Sequence, residues 1–477
     1  MLPLRSFAIA AVLVTGTGAG SYALISARSP QPAEPGAVVT ASAAVAAAPA
    51  TGGASVAASS PSATTSRPHP SRGAAQAKDA TKRASTPAKK PSGSSTTRAS
   101  SPAASGTAAS QAVRCSTTVS TVAKLVAGAA GLRAGRTVCL APGTYRLSGR
   151  LVLGARQSGT AAKPAVLAAR RPGTVTIDGN GAEEAVYIAG ARHLVVTGLR
   201  ITGGAYHGVK IDRPSSDVVL RRLTIVDNFR AADAGGQYSG VKGCCLVKHV
   251  TIEDSDVYYS RPAPASTNHQ GIDCNGCKSW VVRRNRVHGI RAAAGGAGGT
   301  GIQFKSGSAD TVIDANVVYD NFIGITYGGF GNPQLWGHEK YEHVRGIVRN
   351  NVVYGNQDAG ISVINTKDGR VYNNTLFGNG FTPDVRVASV NLRYENNVLD
   401  RPLNLRDGTT AYARHNYVLP SPTSGGLFVN AARRDFRPRS TARALIDRGA
   451  DLGTAVPTDA GGCVRRPGHY DIGAFER

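Results

Sequence analysis

Lys305 ends a short strand-like phrase, TGIQFK, on the side opposite Ile302 and Phe304. A lysine crowded by other cations or partly buried can lose its proton near neutral pH and serve as a general base, which an arginine cannot do. The same phase recurs along the chain. HGVKID, SGVKGC, QGIDCN, TGIQFK, IGITYG and AGISVI each carry a glycine (Gly208, Gly240, Gly271, Gly301, Gly324, Gly360) followed by alternating residues. The first and third positions after it are mostly apolar. The second reads Lys210, Lys242, Asp273, Gln303, Thr326, Ser362, and the fourth Asp212, Cys244, Asn275, Lys305, Gly328, Ile364. Side chains alternate along a strand, so these two columns face outward and form a polar strip of mixed charge. Together with His207 and His269 and the long insertions beside them, the strip is expected to bind a sugar polymer: Lys210, Lys242, Gln303, Asn275 and His207 as contacts, Lys305 and His269 as acid–base groups. Polar residues on the outer face of a soluble solenoid, or an Asp273–Lys305 salt bridge, are the plain structural alternatives.

The elements that position the strip follow from repetition. Each glycine phrase is followed by a second apolar phrase (VVLRRLTI, VTIEDSDV, WVVRRNRV, TVIDANVV, GIVRNNVV, RVYNNTLF), and the shortest glycine spacing is the 23 residues from Gly301 to Gly324. A repeat of that length predicts a solenoid of stacked strand–turn–strand rungs. Asn285, Asn316, Asn351 and Asn374 recur at one phase of the second phrase. Asparagine tolerates left-handed turns and its amides can bond from rung to rung, so these are structural residues.

Upstream the composition changes. Residues 1–29 join Arg5 to an apolar run from Phe7 to Ile25, the pattern of a signal peptide or signal anchor. Residues 30–112 are Ala, Ser, Thr, Pro and Gly with scattered cations, a composition that cannot bury a core and predicts a disordered stalk. The folded domain is expected over 113–477. The formal charge is +25, which favours polyanionic partners. The expected location is extracellular, or tethered to the cell surface through the N-terminal segment if that segment is uncleaved. The expected state is a monomer.

From residue 113 onward the chain resembles the right-handed parallel β-helix (pectate-lyase-like) superfamily. AGRTVCLAPGTYRL is similar to its entry rung, with a capping helix around 117–130, and ALIDRGADLG with RPGHYDIGAFER is similar to the ending of many secreted members. The implied fold is all-β. In polysaccharide lyases of this superfamily a base removes the proton α to a uronate carboxylate while a cation, often calcium or an arginine, neutralises that carboxylate. FKSGS resembles the Lys-Ser strand of chondroitinase B and its alginate-lyase relatives, which implies β-elimination on an acidic polysaccharide or cell-wall glycan, not on nucleic acid, with Lys305 as base. Those enzymes carry an arginine about one rung later, where this chain has Gly328 and Gly329. Their acidic ligands before the lysine are replaced by Gly301 and Gln303. Asp212 and Asp273 are the calcium candidates, with a loop residue such as Asp233 needed to complete six or more oxygens.

A non-catalytic glycan-binding or adhesion protein is the competing class. A glycoside hydrolase ranks below it: HQGIDCNG faintly resembles the NTDG strand of polygalacturonases, but no paired carboxylates accompany it. Cys115 and Cys139 are expected to form a disulfide. Cys244 and Cys245 stand one rung before Cys274 and Cys277, which predicts one or two bridges between rungs; a four-cysteine zinc site is the lesser alternative.

Overall fold

The second and fourth residues after each glycine need an outer wall, and the first and third need an interior. A closed coil of parallel strands provides both. The computed structural model describes residues 113–230, 236–264, 268–293, 298–336 and 340–477; the expected leader, the stalk and Asp233 lie outside them. Three long parallel sheets of 12, 10 and 11 strands run the length of the domain. Each full coil gives one strand to each sheet, as Thr300–Lys305, Val312–Asp314 and Val317–Tyr319 do. The inward side chains of that coil, Ile302, Phe304, Ile313 and Val318, are 0% exposed, and each contributes about 1.5–3 kcal/mol by leaving water.

The recurrent glycines sit where the chain turns into the ten-stranded sheet. A Cβ on Gly301 would lie 2.6 Å from Gly324 O and 2.8 Å from Val318 Cγ1. Only a residue without a side chain lets the coils close at that corner.

Asn285, Asn316, Asn351 and Asn374 form a buried amide ladder that continues through Asn397 and Asn416. The backbone N–H and the side-chain amide of each donate to the Oδ1 of the next, as from Asn316 to Asn351 at 2.9 and 3.0 Å. The left-handed residue is the one before each ladder asparagine: Arg284, Ala315, Asn350 and Asn373 have φ of 53°, 55°, 55° and 51°. The ladder asparagines therefore serve through their amides and not through turn geometry. A second ladder, Asn321, Asn356, Asn379 and Asp400, runs along the corner that leads into the glycine strands.

The N-terminal end is closed by a helix, Val122–Ala130, with Thr121 as its N-cap. Thr117–Val119, expected within that helix, is instead a strand paired with Thr137–Leu140. Two β-branched threonines and a valine suit a strand edge, and the helix begins only after the Thr121 cap. At the other end the last residues fold back over the final rungs, where Asn373 and Asn396 donate to Asp471 O and Ala450 O. Among the described residues no helix is long and apolar enough to cross a membrane.

Candidate active site

The outer face of the ten-stranded sheet carries the polar strip. Lys210 is in register with Lys242, Lys242 with Asp273, and Asp273 with Gln303; one column over, Cys244 faces Asn275 and Asn275 faces Lys305. Neighbouring rungs are about 4.8 Å apart. The strip is less open than its polarity predicts. Asp273 is fully buried and Lys242 and Gln303 nearly so.

The charges sort into two groups. At one end Lys210 Nζ lies 3.5 Å from Glu184 Oε1 and 3.6 Å from Asp212 Oδ2, and Tyr187 OH donates to Asp212 Oδ2 at 2.9 Å. In the middle Lys242 is ion-paired with Asp273 Oδ2. The Asp273 partner is therefore Lys242, not Lys305. Among the described residues Lys305 makes no salt bridge. Burial holds its ammonium below the usual lysine range; Asp273 pushes it back up, Lys242 lowers it, and Glu342 raises it.

Glu342 had no place in the repeat phase. It is 1% exposed, and its Oε2 and Oε1 accept from Ser306 N at 2.5 Å and Gly331 N at 2.8 Å. It fastens the segment after Gly328 across the turn that follows Lys305. Gly329 in that segment lies against the lysine stem: a Cβ there would be 3.2 Å from Lys305 Cβ. The buried acceptors Asp273 Oδ1 and Asn275 Oδ1 find no hydrogen-bond donor among the described residues. Unsatisfied buried acceptors are costly, and both lie in the two outward columns beside Lys305, where a hydroxylated ligand could supply donors.

The histidines fall differently. His207 is in the strip, and its Nδ1 has no partner among the described residues. Burial, then Lys242 and Lys210, hold it well below the usual histidine range, which favours the neutral imidazole. His269 begins the Asp273 strand but is 0% exposed, with its ring 5.3 Å from that of Tyr238 and 6.2 Å from that of Tyr259. It packs in an aromatic cluster with Tyr238 and Tyr259, which buries the ring away from the open part of the strip.

Asp212 and Asp273 do not fit a shared calcium site. They stand in different columns two rungs apart, and each carboxylate is already compensated by a lysine. Gly328, one of the two positions for the missing arginine, has φ 91°, and a Cβ there would lie 1.8 Å from Ile364 O. The strand end leaves no room for any side chain.

Cys115 and Cys139 form a disulfide with Cα atoms 5.6 Å apart. The other four cysteines pair within their rungs, Cys244 with Cys245 and Cys274 with Cys277, which corrects the expectation of inter-rung bridges. Cys274 is in register with Gly243 and points inward, whereas Cys244 points outward, so sheet alternation keeps their sulfurs apart. Asp212 lies with Cys244 and Cys245, but oxidised sulfurs offer no thiolate to zinc.

Among solved structures the chain is similar to pectate lyase Pel9A, at 18% identity over 74% of this chain and 90% of that one, with a TM-score of 0.54. It is also similar to an alginate lyase from Paenibacillus sp. str. FPU-7 (18% identity, 63% of this chain and 99% of that one, TM-score 0.37). A third is the A-module of the Azotobacter vinelandii mannuronan C-5 epimerase AlgE6 (17% identity, 63% and 91%, TM-score 0.42). The first of these shows the fold, a right-handed parallel β-helix. No protein-family model matches the chain, and no curated protein matches it in sequence.

Proposed function

We propose that the chain is an exported lyase that cleaves a uronate-containing polysaccharide by β-elimination, with Lys305 as the base. The observation that carries this is a lysine without a salt bridge among the described residues, its proton affinity lowered by burial, within the polar strip on the outer face of the ten-stranded sheet. Neutral Lys305 takes the proton α to the uronate carboxylate; the C5–H bonding pair forms the C4–C5 double bond, the C4–O bond breaks, and the leaving oxygen takes a proton from the Lys305 ammonium, which restores the neutral base. Lys242 spends one of its three donors on Asp273, which leaves two for the substrate carboxylate. Gln303, Asn275 and His207 supply contacts to hydroxyls. Three disulfides support an oxidising, extracellular location.

The test is a panel of uronate polymers monitored for the ultraviolet absorbance of the new double bond. Lys305→Ala is expected to lower the rate by about 10²–10⁴-fold while retention on a polymer column persists. Lys305→Arg, which keeps the charge and loses the base, is expected to be equally inactive. A Lys305→Arg variant with near-normal turnover would refute the base assignment. Retention of the wild-type protein without absorbance on any polymer would favour the non-catalytic glycan-binding class.

A further inference from the structure

Beside the strip, at the corner where the ten-stranded sheet passes into the twelve-stranded one, lies a cleft of about 560 Å³. It draws on three consecutive rungs. Arg192, Ser216 and Lys248 are paired in register, and the next residue of each rung, His193, Asp217 and His249, turns through the left-handed region with φ of 48°, 56° and 54°. Arg213 completes the wall. The cleft thus gathers Arg192, Arg213 and Lys248 against one carboxylate. That carboxylate is engaged: His249 Nδ1 is 3.3 Å from Asp217 Oδ1, and Ser216 donates to Asp217 Oδ2 at 2.7 Å.

Among the described residues none of the three cations has a salt-bridge partner; Arg213 instead lies 5.8 Å over the ring of Trp336. Further along the same corner Arg345 is paired with Asp310. Uncompensated cations around one concavity raise the local concentration of anions. Two guanidinium groups there can hold an oxyanion by paired N–H donors, which a point charge cannot. The remaining lining includes Pro214 and Leu246, the latter 43% exposed. Apolar surface beside the cations suits an anion carried on a sugar ring better than an anion alone, and the volume is within the range of small-molecule sites.

We propose that this cleft is an anion-binding site separate from the Lys305 strip, which takes a phosphate or sulfate group borne on a saccharide. The assignment does not rest on the lyase reaction. Its test uses the full chain titrated calorimetrically with inorganic phosphate, glucose 6-phosphate and glucose. Glucose 6-phosphate is expected to bind more tightly than phosphate, and glucose not at all. Arg192→Ala/Lys248→Ala is expected to lose about tenfold or more in affinity with an unchanged circular dichroism spectrum, whereas Lys305→Ala binds as wild type. Both alanine positions are exposed, so folding should survive; should it not, charge reversal at Arg213 alone (Arg213→Glu) provides the same readout. No binding of either phosphate, or undiminished binding in the folded double variant, would overturn the site. Equal affinity for phosphate and glucose 6-phosphate would overturn the saccharide assignment. Loss of phosphate binding in Lys305→Ala would place the anion in the strip and overturn the separate site.

Discussion

Gly301→Ala is the sharpest perturbation of the architecture that holds Lys305. The added methyl would stand 2.6 Å from Gly324 O, 2.8 Å from Val318 Cγ1 and 3.0 Å from Asn321 Nδ2. The first of these is backbone of the next rung and cannot rotate away. Relief to a contact of about 3.4 Å requires the two rungs to part by about 0.8 Å, which weakens the hydrogen bonds that join them. Overpacking of this kind costs about 1–3 kcal/mol, and a backbone obstacle puts the expected loss near the upper end, a fall in Tm of about 4 °C for a domain of this size. Because the displaced strand carries Lys305, turnover is also expected to fall by up to about 10²-fold. Gly149→Ala is the control: nothing lies within 4 Å of that position, its φ is not positive, and it is exposed. It is expected to be neutral or to stabilise by about 0.4–1 kcal/mol. Thermal and urea unfolding of both variants decide the matter. Gly301→Ala within about 0.5 kcal/mol of wild type would refute the corner-packing argument.

Asn316→Ala removes an amide that accepts from Asn285 N and donates to Val282 O and Asn351 Oδ1; denaturation should show a loss of about 2–4 kcal/mol, against a smaller loss for Asn416→Ala at the half-buried end of the ladder. Glu342→Gln removes a charge that raises the Lys305 proton affinity, so the rising limb of the rate–pH profile should move to lower pH; a shift to higher pH would contradict the assigned proximity. His343 is buried against Tyr327 and Phe304 and is pushed down to about 3 by burial, then by Lys278 and Arg345. The unfolded state then binds the extra proton, so stability should fall as pH drops below about 6.5 towards 3, and His343→Leu should flatten that part of the stability profile.

Much of this was legible in the residues. Strand alternation counted from Gly301 put Ile302 and Phe304 inside and Lys305 outside, and the structure agrees. The second amide ladder was legible too, since Asn321, Asn356 and Asn379 each follow a first-ladder asparagine by five residues; the signal was a constant offset, not a motif. Glu342 was not, because it belongs to an insertion, and only the folded chain shows which turn an insertion covers. Burial defeated the assignment of His269: its neighbours in sequence are polar, but its neighbours in space are Tyr238 and Tyr259. The cysteines failed for a related reason. Adjacent rungs suggested bridges, while the pleat sent Cys244 and Cys274 to opposite faces.

The three sheets place nearly every interstrand hydrogen bond along one direction, the axis of the coil. Under tension between its ends such a body cannot share the load across many bonds at once, as a sheared pair of strands would. It opens like a zip, one coil at a time from a terminus. A coil of 23 residues, the spacing of Gly301 and Gly324, pays out about 75 Å of extended chain. The Cys115–Cys139 link and the refolded C-terminal segment sit at the two places where such peeling would begin. Under a pull applied at either end of the coil, those fastenings set the force at which the first coil is lost.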